Sequence, residues 1–316
     1  MLVSQQLDGY IIDKPKNSIR LLQEFEPMAL QLNLDGYYLC YSGGKDSDTI
    51  LNIALQSQVK FSAHYNITGI DPTEAVVHIK QVRKRLSESG INLYMETPDI
   101  FTTGIYKGLR KNMWRLIVHK MMPPTRICRY CCDQLKEKGG KDRLCLTGVR
   151  WAESTARKNR RPLEVVTSQI KNKRLFNDND DGRRQFENCM QKGKRVINPV
   201  IEWEDEDVWE FLKSNNAQYC KLYNQGFDRI GCVGCPTGGQ KGQEEDFARY
   251  PHVKQLYIKA FDKMLEYRQS RGFELKSWKT GQDVFDWWLY SQDKEQKKQC
   301  DEQLEIFEWA GINEED

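Results

Sequence analysis

Apolar positions recur at helical spacing over residues 15–33 (PKNSIRLLQEFEPMALQLN), and GYYLCY at 36–41 is a short block of strand formers. After SGGKDS, the segment DSDTILNIALQ predicts a helix capped by Asp46 or Ser47, and VKFSAHYNI at 59–67 predicts the next strand. The pattern continues with a helix at 73–89, a strand at 91–95, a helix near 111–121 and a strand at 142–149. Strands alternating with helices in this way predict an α/β fold, a parallel sheet with helices on both faces. Ligands of such sheets sit at the carboxyl ends of the strands. The Ser42 turn, Asn66 and residues 148–157 fall at those ends.

From Arg157 to Arg195 periodicity gives way to charge (RKNRRP, KNKR, NDNDDGRR, KGKR), which predicts an exposed insertion or long loop. Order resumes at INPVIEWEDEDVWEFLKSNN, where Glu204 or Asp205 can cap a helix carrying Val208, Trp209, Phe211 and Leu212. Residues 253–271 and 282–310 predict a largely helical, acidic tail, with Trp278, Phe285, Trp287 and Trp288 as core or interface aromatics. The expected organisation is an α/β domain over 1–205, carrying a basic insertion near 157–195, and a cysteine-containing, mainly helical region over 206–316.

The 316 residues carry 48 Lys+Arg and 45 Asp+Glu, but this near-balance hides a division: residues 107–195 have a net charge of +15 and the remainder −12. A basic middle suits a polyanionic ligand, a nucleotide or a nucleic acid. No apolar run approaches the ~18 residues that a bilayer span needs, so no membrane partner is expected. The first twenty residues lack the apolar stretch of a secretory signal, so a cytoplasmic protein is expected.

SGGKDS at 42–47 lies between a predicted strand and helix. Two glycines there let the backbone approach an anion, and the helix start offers unpaired amides and the positive end of its dipole. The GxxxxGK[ST] spacing of a Walker A loop is absent. Arg150 and Arg157 are seven residues apart, about two helical turns, so both guanidiniums could face one anion. Pairing with Glu153 and other surface acids is the plainer alternative.

Ten cysteines in a reducing compartment argue for metal, cluster or redox chemistry rather than structural disulfides. Cys232-Val-Gly-Cys235 has a spacing that lets both thiolates reach one metal, and Cys131-Cys132 supplies two more, with Cys128 and Cys220 in reserve. Four thiolates suit an iron–sulfur cluster or zinc. Cys40 and Cys145, both in predicted strands, are expected to be small buried apolar residues.

The segment Tyr41-Ser-Gly-Gly-Lys-Asp-Ser47 resembles the PP-loop of ATP pyrophosphatases and of the phosphoadenosine phosphosulfate (PAPS) reductase family. Gly148-Val-Arg-Trp-Ala-Glu-Ser-Thr-Ala-Arg157 is similar to that family's GxRxxES..R segment. Asn198-Pro-Val-Ile-Glu-Trp203 with Asp207-Val-Trp209, Leu222-Tyr-Asn-Gln-Gly-Phe227 and Gly231-Cys-Val-Gly-Cys-Pro236 continue the likeness in order, over roughly residues 20–240. The resemblance implies that Ser42, Gly43, Gly44, Lys45, Asp46 and Ser47 hold the phosphates of ATP or a sulfonucleotide, with Asp46 helping to hold Mg2+. It also implies that Asn66, Thr68, Gly148, Arg150, Glu153 and Ser154 line the nucleotide, and that Lys45, Asp46, Arg150 and Arg157 serve catalysis. The order CC followed by CxxC resembles that of iron–sulfur sulfonucleotide reductases, which implies a [4Fe-4S] cluster on Cys131, Cys132, Cys232 and Cys235, with zinc the rival.

Sulfonucleotide reductases attack with a cysteine in a C-terminal Glu-Cys-Gly-type motif, which is absent here; the one late cysteine, Cys300, lies in an acidic stretch. The resemblance then favours the other chemistry of the fold: ATP is cleaved to AMP and pyrophosphate, and an acceptor is activated for sulfur transfer. The pattern is similar to the ATP-pyrophosphatase component of DNA phosphorothioation systems and to prophage PAPS reductase-like proteins. That likeness implies a cysteine desulfurase as sulfur donor, the basic 157–195 stretch fits a nucleic-acid backbone as acceptor, and the sequence leaves a homo-oligomer open. PAPS or adenylylsulfate reduction, and a non-catalytic nucleotide- or DNA-binding role, are the alternatives.

Overall fold

The computed structural model describes residues 1–5, 11–137, 139–153, 157–158, 160–166, 174–175, 194–273 and 278–291. The described residues divide into two compact units: those within 1–65, 73–96 and 139–230 form the first, and those within 66–72, 97–138 and 231–316 the second.

The first unit opens with a small antiparallel pair, β1 (Val3–Gln5) and β2 (Ile11–Asp13), followed by α1 (Lys14–Leu32). Asp13 caps α1, its side chain accepting from the Lys16 amide at 2.9 Å, and Pro15 sits in the first turn, where its missing N–H costs nothing. Then come β3 (Tyr37–Cys40), α2 (Lys45–Ser57), β4 (Phe61–Asn66), α3 (Thr73–Glu88), β5 (Leu93–Glu96), β6 (Leu144–Leu146), β7 (Leu163–Val166), β8 (Arg174–Leu175), β9 (Lys194–Ile197) and α6 (Asp205–Ser214). The sheet order is β5-β4-β3-β6-β9-β7-β8. β4, β3, β6 and β9 run parallel, in a register that sets Tyr37 beside Phe61 and Tyr38 beside Cys145; β7 is antiparallel to both β9 and β8. This is the mostly parallel α/β sheet that the alternating pattern predicts. Its core is built by Leu22 and Ala29 of α1, Tyr37 and Leu39 of β3, and Ile50, Leu51, Ile53 and Ala54 of α2. Tyr37 donates its hydroxyl to the Leu22 carbonyl at 2.6 Å, so its buried oxygen stays satisfied.

Three expectations need correction. The charged stretch 157–195 is not an insertion outside the sheet throughout, because Leu163–Val166 joins it as β7. The buried Glu164 carboxylate is held by Arg160 and by the Asn198 side chain at 3.0 Å, so this part of the charge run is neutralised locally. Residues 167–173 and 176–193 of the stretch lie outside the described residues. Helix α2 begins at Lys45 with Gly44 as its N-cap, two residues before Asp46 and three before Ser47, the side chains expected to cap it. Cys40 is exposed, as the last residue of β3 after three buried ones, whereas Cys145 is buried.

The second unit contains α4 (Met113–His119), α5 (Tyr130–Leu135), α7 (Gly239–Arg249), α8 (Pro251–Ser270) and α9 (Gly281–Tyr290). A reciprocal capping box between Thr280 and Asp283 starts α9. Leu116 and Ile117 of α4 pack with Phe247, Tyr257, Phe261, Met264, Phe285 and Trp288 into one core. Trp278 is buried and Trp287 packs against it edge-on at 4.9 Å. Trp278, Phe285 and Trp288 are thus core residues, with Trp287 partly buried against them.

Candidate functional site

In the first unit, β3 runs into a tight bend that only glycine accommodates. Gly43 has φ +74°, and a Cβ there would stand 2.8 Å from Ile79 Cγ1. Gly44 is extended and leads into α2. Among the described residues the Gly43 and Gly44 amides meet no acceptor, and Ser47 Oγ donates to the Gly44 carbonyl at 2.8 Å while accepting from Ser42 Oγ at 3.3 Å. A bend of free amides at a helix N-terminus is an anion cradle.

Charge is concentrated beside it. The Lys45 ammonium lies 3.2 Å from the Asp228 carbonyl and 3.4 Å from the Asp205 carboxylate. Arg150, 1% exposed, commits all three of its guanidinium nitrogens: Nε to Asp46 at 2.7 Å, Nη2 to Asp205 at 2.7 Å and Nη1 to the Trp203 carbonyl at 3.1 Å. Burial pushes the Asp205 carboxyl up, but its hydrogen bond from Arg150 and the charge of Lys45 outweigh this and hold it below the usual range. Gly148 lets the chain leaving β6 pass close to α2, since a Cβ there would stand 3.0 Å from the Asp46 backbone.

Beneath the bend, the fully buried Asp48 accepts from Tyr41 at 2.6 Å and faces His78 Nε2 with both oxygens at 3.0 Å. Burial raises the Asp48 carboxyl above its ordinary value, against the opposing hydrogen bond from His78. The cluster ties β3, α2 and α3 together under the anion cradle.

Ser42, Gly43, Gly44, Lys45, Asp46, Ser47, Gly148 and Arg150 are therefore gathered at one place. Glu153 adjoins them by accepting from the Arg150 amide at 2.9 Å, and it pairs with Arg157. Trp151–Glu153 is a short 3-10 turn rather than a continuing α-helix, and the two arginines engage different acids. Ser154 lies outside the described residues. Sequence reasoning missed Tyr223, Asp205, Asp228 and the Asp48–His78 pair; Tyr223 and Asp228 act on Lys45 from a distant stretch that local pattern does not link to it.

Asn66 and Thr68 belong to the second unit. Asn66 Nδ2 donates to the Lys136 carbonyl at 2.8 Å, and Thr68 Oγ1 donates to Asp71 at 2.6 Å. Thr68 lines a cavity of about 30 Å3 together with Cys131, Cys132, Cys232, Cys235 and Lys136. All four thiols are free. The Cys131 hydrogen bond and the nearby Arg129, whose Nη2 is 3.3 Å from Cys132 Sγ, pull the Cys132 thiol below its ordinary range, whereas burial pushes Cys232 up to about 11. Among the described residues, no three His, Cys, Asp or Glu side chains converge on one point at ligand distance. The four sulfurs line one cavity with Lys136 and are donors of the type that a thiolate-bound centre uses, but among the described residues they do not converge as a ligand set. Of the reserve ligands, Cys128 is disulfide-bonded and Cys220 is buried against Ala75 and Leu222 in the first unit. Cys300 lies outside the described residues.

An anion cradle between a parallel strand and its helix, with Lys45 as the helix's first residue, defines an α/β protein of PP-loop type. The chain belongs to the phosphoadenosine phosphosulfate reductase domain family, whose model matches residues 36–238. An uncharacterized protein of Methanocaldococcus jannaschii is 25% identical over 266 residues, 82% of this chain and 54% of that protein, so the chain spans about half the length of this curated relative. The adenosine 5'-phosphosulfate reductase of Oceanobacillus iheyensis is 46% identical over 56 residues, 17% of this chain and 23% of that one. Among solved structures, the Candida glabrata FMN adenylyltransferase in complex with FMN and an ATP analogue covers 70% of this chain and 63% of its own, at 15% identity and TM-score 0.44. The U34-tRNA thiolase NcsA of Methanococcus maripaludis, with its [4Fe-4S] cluster, covers 86% of both chains at 14% identity and TM-score 0.40. No helix among the described residues is long and apolar enough to cross a membrane.

Proposed function

We propose that the chain is an ATP pyrophosphatase of sulfur-transfer type. The observation that carries this reading is the glycine bend at 42–44 with free amides, followed at once by Lys45 and flanked by Arg150. The Gly43 and Gly44 amides bind the nucleotide's phosphates, and Lys45 neutralises charge that builds as an acceptor oxygen attacks the α-phosphorus and pyrophosphate leaves. A hydrosulfide-level sulfur nucleophile then displaces AMP, the acceptor–sulfur bond forming as the acceptor–oxygen bond to AMP breaks. Arg150 positions Asp46 by direct hydrogen bond, and the Asp46 carboxylate with the phosphate oxygens would hold Mg2+. Cys131, Cys132, Cys232 and Cys235 would hold a [4Fe-4S] cluster or zinc; the cluster, when bound, supplies redox-active iron and sulfide. The net +15 of residues 107–195 supports a nucleic-acid acceptor.

Anaerobically purified protein with ATP and Mg2+ is expected to release pyrophosphate, and Lys45→Ala is expected to abolish it. Equal release by both proteins overturns the reading. The local likeness to adenosine 5'-phosphosulfate reductases supports a second reading, sulfonucleotide reduction. Thiol-dependent sulfite release from a sulfonucleotide, lost in one cysteine variant, would establish it instead.

A further inference from the structure

The phosphate bend is completed by a side chain from far along the chain. Tyr223 lies in a 3-10 turn at Lys221–Gln225 that ends on Gly226 in the left-handed conformation. Its hydroxyl accepts a hydrogen bond from the Lys45 amide at 2.8 Å, 178 residues away in sequence. The Lys45 ammonium lies 5.9 Å from the centre of the same ring. A Cβ on Gly44 would stand 3.4 Å from the Tyr223 hydroxyl, so the phenol oxygen lies directly against the bend. Because Gly44 offers no side chain to cap α2, Tyr223 performs that task from outside the helix.

A phenol is both acceptor and donor. Among the described residues the Tyr223 hydroxyl accepts from Lys45 and its own proton has no acceptor. Burial holds the phenol well above its ordinary pKa, so it keeps that proton at neutral pH. Accepting from the amide polarises the O–H bond and makes it a stronger donor. The ring is fixed edge-on against Trp209 at 5.1 Å and Tyr219 at 6.5 Å. Such packing favours a phenol that stays in place over one that a ligand pushes aside.

We infer that Tyr223 is a phosphate-binding residue, whose hydroxyl donates to an oxygen of the oligophosphate seated on the Gly43 and Gly44 amides while it continues to cap α2. The inference rests on the proposed nucleotide reading of this bend and adds to it a ligand from outside the PP-loop. One protein group then recognises both the helix end and the bound anion. Specificity follows: the phenol rewards a phosphate chain and contributes nothing to a bare nucleoside.

The test compares full-length wild type with Tyr223→Phe, which removes one oxygen and keeps the ring packing, by calorimetric titration with ATP, pyrophosphate and adenosine. Loss of a neutral donor to a charged acceptor is expected to weaken ATP and pyrophosphate about 10-fold or more, with adenosine unchanged. A merely structural role would weaken all three ligands alike, and that result overturns the inference. Equal or tighter binding of ATP by Tyr223→Phe also overturns it, the tighter case marking Tyr223 as a plug that nucleotide must displace. Failure of the wild type itself to bind ATP or pyrophosphate overturns the nucleotide reading and this inference with it. If the Phe variant melts early, Tyr223→His, which keeps a ring donor facing the bend, supplies the comparison. It is expected to retain more of the ATP affinity than Tyr223→Leu, and equal affinities of the two sink the proposal.

Discussion

Arg150 donates through Nε to Asp46 at 2.7 Å, a bond that joins the chain leaving β6 to the first turn of α2 across 104 residues of sequence. With the Asp205 carboxylate and the Trp203 carbonyl as its other partners, the guanidinium is a bracket rather than an idle anion fork. It fixes the carboxylate next to the glycine bend and determines which way that carboxylate faces.

The bracket predicts an asymmetry between its members. Arg150 is buried while the Asp205 side chain is 61% exposed, so Arg150→Ala should destabilise by about 3 kcal/mol and Asp205→Asn by less than about 1 kcal/mol. Urea unfolding followed by tryptophan fluorescence measures both. A larger cost for Asp205→Asn would show that the exposed acid, not the buried base, organises the group.

Gly43→Ala should fail for two reasons at once. Alanine is strained at φ +74°, and its methyl would press on Ile79. The expected cost is about 1–3 kcal/mol, accompanied by loss of ATP binding. A lowered melting temperature and a flat ATP titration would confirm it.

The shared cavity wall of Cys131, Cys132, Cys232 and Cys235 predicts that anaerobically purified protein carries iron and acid-labile sulfide, or zinc, and that Cys232→Ser and Cys235→Ser each reduce the content. Elemental analysis with sulfide determination distinguishes cluster, zinc and empty thiols. Full metal content in all four single variants would remove the site from these thiols.

Acid should weaken the first unit through His64. Its ring stacks on Tyr38 at 3.7 Å and on Tyr94 at 4.9 Å, meets Glu96 at 2.8 Å and Ser62 at 3.0 Å, and has Arg143 beside it at 3.4 Å. Burial lowers its pKa below the ordinary 6.5, outweighing the opposing pull of Glu96. The unfolded chain therefore takes up the proton first, so stability falls as pH drops from about 6.5 toward the folded-state value. Melting temperatures between pH 7.5 and 5 should decline, and His64→Gln should flatten that decline.

The strand, bend and helix from Tyr37 to Ser57 were legible because each signal is local: a run of aromatic strand formers, two glycines, then helical spacing. The four cavity cysteines were legible for the same reason, as two short spacings that thiolate chemistry explains. β7 was hidden because Leu163, Val165 and Val166 are few and sit among charges, and the hydrogen bond that completes the Arg160-paired Glu164 carboxylate comes from Asn198, 34 residues away. Cys40 was misjudged because strand propensity does not say where a strand passes beyond its cover. Tyr223 and Asp205 were unreadable as partners of Lys45, since neither proximity in sequence nor periodicity connects them.

The cap that Tyr223 places on Lys45 also sets a timetable for biosynthesis. A ribosome has made the strand and the glycine bend long before it reaches residue 223, so the nascent chain can pair its early strands yet lack the piece that finishes the helix end. The helix end that opens at Lys45 is therefore finished last, by a residue added 178 positions after it.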